Sequence, residues 1–167
     1  VQTLVVANAA PTAVMSLSPA GTVNEGTTGV EVRFAGGTDP SAADLARGLR
    51  YSVDFDGDGA FEIIDSAATT FVIPAQYTAD NRVLTVRGQV RDQAPAGDSS
   101  ATASLRTEFT SVLVVDDVAP ALIVTGAATA NEGTPYALSL SAADPGTDTV
   151  LQWVVDWNDG IVEVFDG

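Results

Sequence analysis

The chain contains no cysteine, no histidine and no lysine, and its seven basic residues are all arginine. It therefore cannot form a disulfide or a thiolate metal site, and it lacks the side chains for a cysteine nucleophile or a histidine-dependent triad. Twenty-two acidic residues give the 167-residue chain a net charge of −15. Such a surface repels nucleic-acid phosphates and offers no basic patch to anionic lipid, so we expect no nucleic-acid partner. No apolar run approaches the roughly 20 residues of a membrane-spanning helix, so we also expect no membrane insertion.

Internal repetition is the strongest pattern in the sequence. Four landmarks occur twice in the same order: Asn-Glu-Gly-Thr at 24–27 and 131–134, Asp-Pro at 39–40 and 144–145, Val-Asp-aromatic-Asp/Asn at 53–56 and 155–158, and a Val-Val…Ala-Pro segment at 5–11 and 114–120. The period of roughly 105 residues is the size of a small domain. We expect residues 11–118 to form one complete repeat, residues 1–10 the last strand of a preceding repeat, and residues 119–167 the first half of a second, all within a longer protein.

Apolar residues alternate with polar ones along the complete repeat, which predicts β-strands with one buried face. The alternation runs through Val30, Val32 and Phe34, then Tyr51, Val53 and Phe55, and finally Leu84, Val86, Gly88 and Val90. Only two short helical turns are predicted, one capped by Ser41 and one between Pro74 and Asp80. About seven short strands in roughly 100 residues are typical of an immunoglobulin-like antiparallel β-sandwich.

Several motifs sharpen this prediction. The segment Tyr-Ser-Val-Asp-Phe-Asp-Gly-Asp-Gly at 51–59 resembles the central strand and hairpin of PKD (polycystic kidney disease) domains, and residues 153–160 resemble it again. Residues 86–92 followed by Gly97 resemble the penultimate strand of that family and its turn. Val-Asp-Asp-Val-Ala-Pro at 115–120 resembles the joint between tandem PKD-like or cadherin-like repeats of bacterial surface proteins.

The resemblance implies a divergent PKD-like repeat in a secreted or surface-attached bacterial protein. Its implied function is that of a non-catalytic structural spacer in a large adhesin-like chain, with the neighbouring repeats of the same chain as partners. The alternative is an accessory module of a secreted hydrolase that binds polysaccharide or a protein ligand. Members of the family have no catalytic residues of their own, and the short turns of this sequence leave no insertion large enough for the cleft that a paired-carboxylate enzyme needs.

The acidic hairpin is the first candidate metal site. Asp54, Asp56 and Asp58 alternate before Gly59 as in a Ca²⁺-binding loop, where Glu62 falls at the ninth position and Asp65 at the twelfth. Three neighbouring carboxylates repel one another, and Ca²⁺ would relieve that repulsion. The alternative is a plain hairpin, because Asp-Gly is a strong turn signal without any metal. A shorter version of the loop occurs at 156–160.

A second candidate Ca²⁺ site follows from strand topology. Glu25, the acidic hairpin and the pair Asp116 and Asp117 are all expected at one end of the sandwich, and cadherin-like repeats hold Ca²⁺ at such joints. The alternative is that Glu25 and Glu132 fill exposed turns of an acidic protein.

Two further predictions concern the second repeat. Trp153 and Trp157 could stack on sugar rings, but their spacing places both on the strand face of Val155, which is expected to be buried. A core position is therefore predicted for Trp153, and it is left open for Trp157, which lies at the strand end. An unfinished apolar face there predicts self-association, in which residues 1–10 of one molecule pair as a strand with the second repeat of another.

Overall fold

The computed structural model describes residues 2, 4, 7–95 and 104–167, and most of them lie in β-strands. The chain divides into two compact units, Val1–Asp116 and Asp117–Gly167. The first unit contains eight strands: β1 (Thr12–Ser18), β2 (Gly21–Asn24), β3 (Glu31–Thr38), β4 (Arg50–Asp54), β5 (Ile63–Ser66), β6 (Thr70–Val72), β7 (Arg82–Arg91) and β8 (Arg106–Asp116). The all-β prediction is therefore confirmed.

Two sheets form the first unit. One has the strand order β1-β3-β6 and is antiparallel throughout, and the other has the order β2-β8-β7-β4-β5. In the second sheet only the β2–β8 pair is parallel, with Gly21 opposite Leu113 and Asn24 opposite Asp116. Because β2 and β8 run in the same direction, their carboxyl ends meet at the same edge of the sheet.

A single hydrophobic core lies between these sheets and is made by the inward residues of the alternating strands. In β7, every second residue from Leu84 to Val90, Gly88 included, is buried, and the residues between them are not. From the opposite sheet, Val32 and Phe34 of β3 face the same core. The period of two seen in the sequence thus corresponds to the buried face of each strand.

Both predicted helical turns are present. Helix α1 (Ala42–Arg47) begins after Ser41, whose side-chain oxygen accepts a hydrogen bond from the Asp44 N–H. A 3₁₀ helix spans Ala75–Tyr77. Among the described residues no helix is long and apolar enough to span a membrane.

The second unit is built from two antiparallel pairs. β9 (Ala121–Gly126) pairs with β10 (Leu138–Ala143), and β11 (Gln152–Asp156) pairs with β12 (Val162–Asp166). Every residue from 117 to 167 is described, and within that range none is buried. Trp153 and Val155 are half-buried, and Trp157 is 47% exposed.

Two predictions fall wholly or partly on residues that the structure does not describe. Of the predicted strand at 1–10, residues 1, 3, 5 and 6 lie outside the described set, and the described residues 2, 4 and 7–10 are not in a strand. Gly97, assigned to a turn by the family resemblance, also lies outside it.

Candidate metal-binding site

The acidic hairpin joins β4 to β5 and brings together four of the predicted ligands. Carboxylate oxygens of Asp54, Asp56, Asp58 and Glu62 all lie within 4.8 Å of one another. Asp54 ends β4 and is fully buried, whereas the other three acids extend from the turn and are exposed.

The buried Asp54 organises the turn. Its two carboxylate oxygens accept hydrogen bonds from the backbone N–H groups of Gly57 (2.6 Å) and Gly59 (3.0 Å). Both glycines have positive φ, 78° and 95°, which costs least without a Cβ atom. A Cβ atom on Gly57 would also lie 2.6 Å from the carbonyl oxygen of Thr85. The spacing of Asp and Gly in the sequence therefore has a structural cause that requires no metal.

The exposed acids each accept one backbone hydrogen bond as well. Asp56 accepts from the Asp58 N–H, Asp58 from the Ala60 N–H, and Glu62 from the Phe55 N–H at 2.7 Å. One oxygen of each carboxylate is used in this way, and each carboxylate has a second oxygen. The turn thus holds four negative charges in a fixed arrangement of hard oxygen donors, which is the chemistry that Ca²⁺ prefers.

Tyr77 reports the electrostatic field of this group. Burial is the main cause of the raised pKa of the Tyr77 phenol, and a hydrogen bond with Gln76 lowers that pKa in part. The negative charges of Glu62, Asp56 and Asp58 each raise it by a smaller amount. Its ring lies 5.9 Å from that of Phe55, centroid to centroid, at the start of the hairpin. A cation bound among the acids would reduce the field at the phenol.

Asp65, the residue at the twelfth loop position, does not belong to the acidic group. The Arg91 guanidinium donates hydrogen bonds to both of its carboxylate oxygens, and this pairing holds the pKa of Asp65 below its ordinary value. The hairpin therefore has the first part of a Ca²⁺-binding loop without its terminal carboxylate.

The residues of the second predicted site are placed as follows. Glu25 is 2% exposed, and its backbone N–H donates to the Asp116 carbonyl oxygen at 2.9 Å, next to the parallel pair of β2 and β8. The alternative of an exposed turn is therefore wrong for Glu25, whereas Glu132 is exposed as that alternative expects. Asp116 is exposed at the end of β8, and Asp117 is the first residue of the second unit. Ca²⁺ binding by Glu25, Asp116 and Asp117 stays a prediction.

The hairpin of the second unit differs from that of the first. Asp156 accepts from the Asn158 N–H and Asp159 accepts from the Ile161 N–H, and all four residues are exposed. Within the described range, no three acids of this hairpin come together as they do between Asp54 and Glu62.

Sequence reasoning missed another acidic group, formed in the first unit by Asp39, Asp44 and Asp92. Two of its members belong to motifs described above: Asp39 is part of the repeated Asp-Pro motif, and Asp92 ends the segment 86–92. The link between them could not be found from spacing, because 53 residues separate Asp39 from Asp92. The chain matches no family model, and neither a curated protein nor a solved structure is significantly similar to it.

Proposed function

We propose that the chain is a non-catalytic structural repeat of the PKD-like, immunoglobulin-like class, which acts as a spacer in a secreted or surface-attached bacterial protein and is stiffened by Ca²⁺. Its partners in this role are the neighbouring repeats of the same chain. Support comes from the all-β fold of the first unit, with two sheets around one core.

The observation that carries the proposal is that two of the four repeated sequence landmarks occupy similar local structure in both units. In the Asn-Glu-Gly-Thr landmark, the Thr27 N–H donates to the Asn24 carbonyl at 3.2 Å, and the Thr134 N–H donates to the Asn131 carbonyl at 3.2 Å. The Val-Asp-aromatic landmark stands at the end of a strand in both cases, β4 in the first unit and β11 in the second. Local structure that recurs at a domain-sized period favours a protein made of tandem modules.

The proposed stiffening by Ca²⁺ rests on the acidic hairpin. Four carboxylates held within 4.8 Å of one another repel, and a divalent cation converts that repulsion into attraction. A cation that binds only the folded state stabilises it by mass action, by about 2.7 kcal/mol at a free concentration 100 times the dissociation constant. In a spacer, that free energy resists unfolding under tension.

Single-molecule stretching of the chain in Ca²⁺ and in EDTA tests this proposal. We expect a higher unfolding force for the first unit in Ca²⁺, and we expect Asp58→Asn or Asp56→Ala to reduce the difference. Asp166→Asn is the matched control, because it removes one charge from an exposed acid of β12. Identical force distributions in Ca²⁺ and EDTA would contradict the stiffening role.

One observation favours the alternative of a carbohydrate-binding accessory module. Tyr136, Trp157 and Phe165 of the second unit are 42%, 47% and 50% exposed, and the rings of Tyr136 and Trp157 are packed edge to face. Exposed aromatic rings are the groups that stack on sugars. The Trp157 indole N–H also donates to a Glu163 carboxylate oxygen at 3.0 Å, which fixes the ring.

Titration with soluble polysaccharides, followed by tryptophan fluorescence, distinguishes the two functions. Sugar binding should shift the tryptophan emission of the wild-type protein. Binding measured by calorimetry should be lost in Trp157→Ala but not in Leu151→Ala, which removes another exposed apolar side chain. A spacer should show no saturable change with any polysaccharide.

A further inference from the structure

Three buried aspartates meet in the first unit, away from the acidic hairpin. Asp39 follows β3, Asp44 lies in α1 and Asp92 follows β7. Their residues are 7%, 7% and 0% exposed, and one carboxylate oxygen from each lies within 4.8 Å of the others. Acidic side chains are seldom buried unless they are paired, so their partners decide what the group can do.

The partners of Asp44 and Asp92 are identifiable. The Arg47 guanidinium pairs with Asp44. Asp92 accepts from the backbone N–H of Leu105 at 2.7 Å and from the side-chain amide of Asn8 at 2.8 Å. The nearby Arg91 is directed elsewhere, since it pairs with Asp65 and reaches Asp92 only at the backbone carbonyl. One guanidinium thus faces three carboxylates.

Asp39 provides the observation that points to a ligand. One of its oxygens accepts from the Ser41 N–H at 2.7 Å. The other, Oδ2, is buried and has no hydrogen-bond partner among the described residues. A buried carboxylate oxygen without a partner destabilises the fold more than an ordinary lost hydrogen bond does, because no new hydrogen bond compensates for the loss of its hydration.

We propose that Asp39, Asp44 and Asp92 bind a divalent cation of the Ca²⁺ class. Two positive charges balance the net charge of three carboxylates and one guanidinium, and direct ligation satisfies Asp39 Oδ2. The ligands are all hard oxygen atoms, which favours Ca²⁺ over a metal that prefers nitrogen or sulfur. Ca²⁺ also accepts irregular coordination completed by water, whereas Mg²⁺ demands a near-octahedral shell.

The site has a structural consequence for the segment before β1. Asn8 precedes that strand and is attached to the site through Asp92. A cation held there joins the loop after β3 and the end of β7, and it fixes the carboxylate to which Asn8 donates. We therefore expect Ca²⁺ to order the entry of the chain into the first unit. This inference does not depend on the spacer function or on the acidic hairpin.

A titration of the full ¹⁵N-labelled chain with CaCl₂, observed by NMR, tests the site directly. The reporters are the amides of Ser41 and Leu105, which donate to Asp39 and Asp92. The amides of Gly57 and Gly59 report the hairpin separately, because both donate to Asp54. We expect saturable shifts of Ser41 and Leu105 with a midpoint no higher than about 1 mM, the upper range for extracellular Ca²⁺ modules.

Asp39→Asn is the critical variant, because it keeps the acceptor for the Ser41 N–H and replaces one carboxylate oxygen by an amide. It should abolish the saturable shifts of Ser41 and Leu105 and leave those of Gly57 and Gly59 unchanged. Asp58→Asn should abolish the shifts of Gly57 and Gly59 and leave those of Ser41 and Leu105 unchanged. In EDTA, Asp39→Asn should melt no lower than the wild-type protein, since it removes like-charge repulsion.

Two results would overturn the proposal. One is the absence of saturable shifts at Ser41 and Leu105 in the wild-type protein, whatever the hairpin reporters do. The other is an Asp39→Asn variant that retains those shifts. If only the hairpin reporters respond, the Ca²⁺ site of the hairpin survives while this one fails.

Discussion

Arg91 holds both carboxylate oxygens of Asp65 and thereby ties the long strand β7 to β5 at the edge of its sheet. The hydrogen bonds with Arg91 are the main cause of the lowered Asp65 pKa, opposed in part by burial. A carboxyl whose pKa is lower in the folded state stabilises the fold above its unfolded pKa, and that contribution is lost as pH falls through the folded value.

We therefore expect Asp65→Asn to flatten the pH dependence of stability in the acid range. Asn tolerates the positive φ of 54° at this position, so the variant isolates the charge. The pair is partly exposed, and its loss should cost about 1 kcal/mol or less at neutral pH. Urea denaturation between pH 3 and pH 7 measures the effect. Equal slopes for the variant and wild type in that range would disprove the linkage.

A second prediction concerns Gly88, which faces the core at the centre of β7. A Cβ atom there would lie 2.7 Å from the Phe34 ring and would also meet the Met15 sulfur. Gly88→Ala should destabilise the first unit by about 1–3 kcal/mol, as overpacking does in other cores. Gln89→Ala, on the opposite face of the same strand, is the control and should change stability by about 0.5 kcal/mol or less. Thermal melting of the two variants measures both changes in stability, and equal melting temperatures for them would contradict the prediction.

The strands of the first unit could be predicted because each buries one face, so that every second residue is apolar. Val32, Val53 and Val86 are such buried positions in β3, β4 and β7. The cap at Ser41 and the Asp-Gly turn were equally readable, since both depend on contacts within a few residues. Sheet order could not be predicted in this way. The parallel pairing of β2 with β8 joins Asn24 to Asp116, and no local pattern records a contact across that distance.

Because local patterns do not record distant contacts, the sequence predicted only one of the two acidic groups. Asp54, Asp56, Asp58 and Glu62 lie in one turn, so their spacing is enough to bring them together. Asp39 and Asp92 come together only because β3 and β7 belong to opposite sheets of one core. Counting from Asp54 makes Asp65 the twelfth residue of a Ca²⁺-binding loop, but Asp65 pairs with Arg91 of β7 instead.

A third prediction uses tyrosine as a reporter for Ca²⁺ in the hairpin. The Tyr77 pKa is raised by burial and by three of the acids, so a bound cation should lower it. Burial alone raises the pKa of Tyr51, so this residue serves as the control and should titrate at the same pH with and without Ca²⁺. NMR titration of the tyrosine Cζ resonances resolves the two rings. A Tyr77 pKa that Ca²⁺ leaves unchanged would argue against a cation among these acids.

The last prediction is that the apolar face of the second unit drives self-association. An open groove of about 320 Å³ is lined there by Leu138, Leu140, Trp153, Val155, Trp157 and Phe165. The corresponding residues of the first unit, Val53 and Phe55, are buried in its hydrophobic core. An uncovered face of this composition loses free energy by meeting another apolar surface, at about 25 cal/mol per Å² removed from water.

Light scattering over a range of protein concentrations should therefore show a rising average mass, reduced by Leu140→Ser. Leu151→Ser is the matched control, because Leu151 is 83% exposed and does not line the groove. If residues 1–10 supply the incoming strand, their deletion should lower the mass as Leu140→Ser does, since strand exchange needs both the donor and the groove. If the deletion leaves the average mass unchanged while Leu140→Ser still lowers it, the association is a contact between two grooves instead. A monomer at every concentration would contradict association through this face altogether.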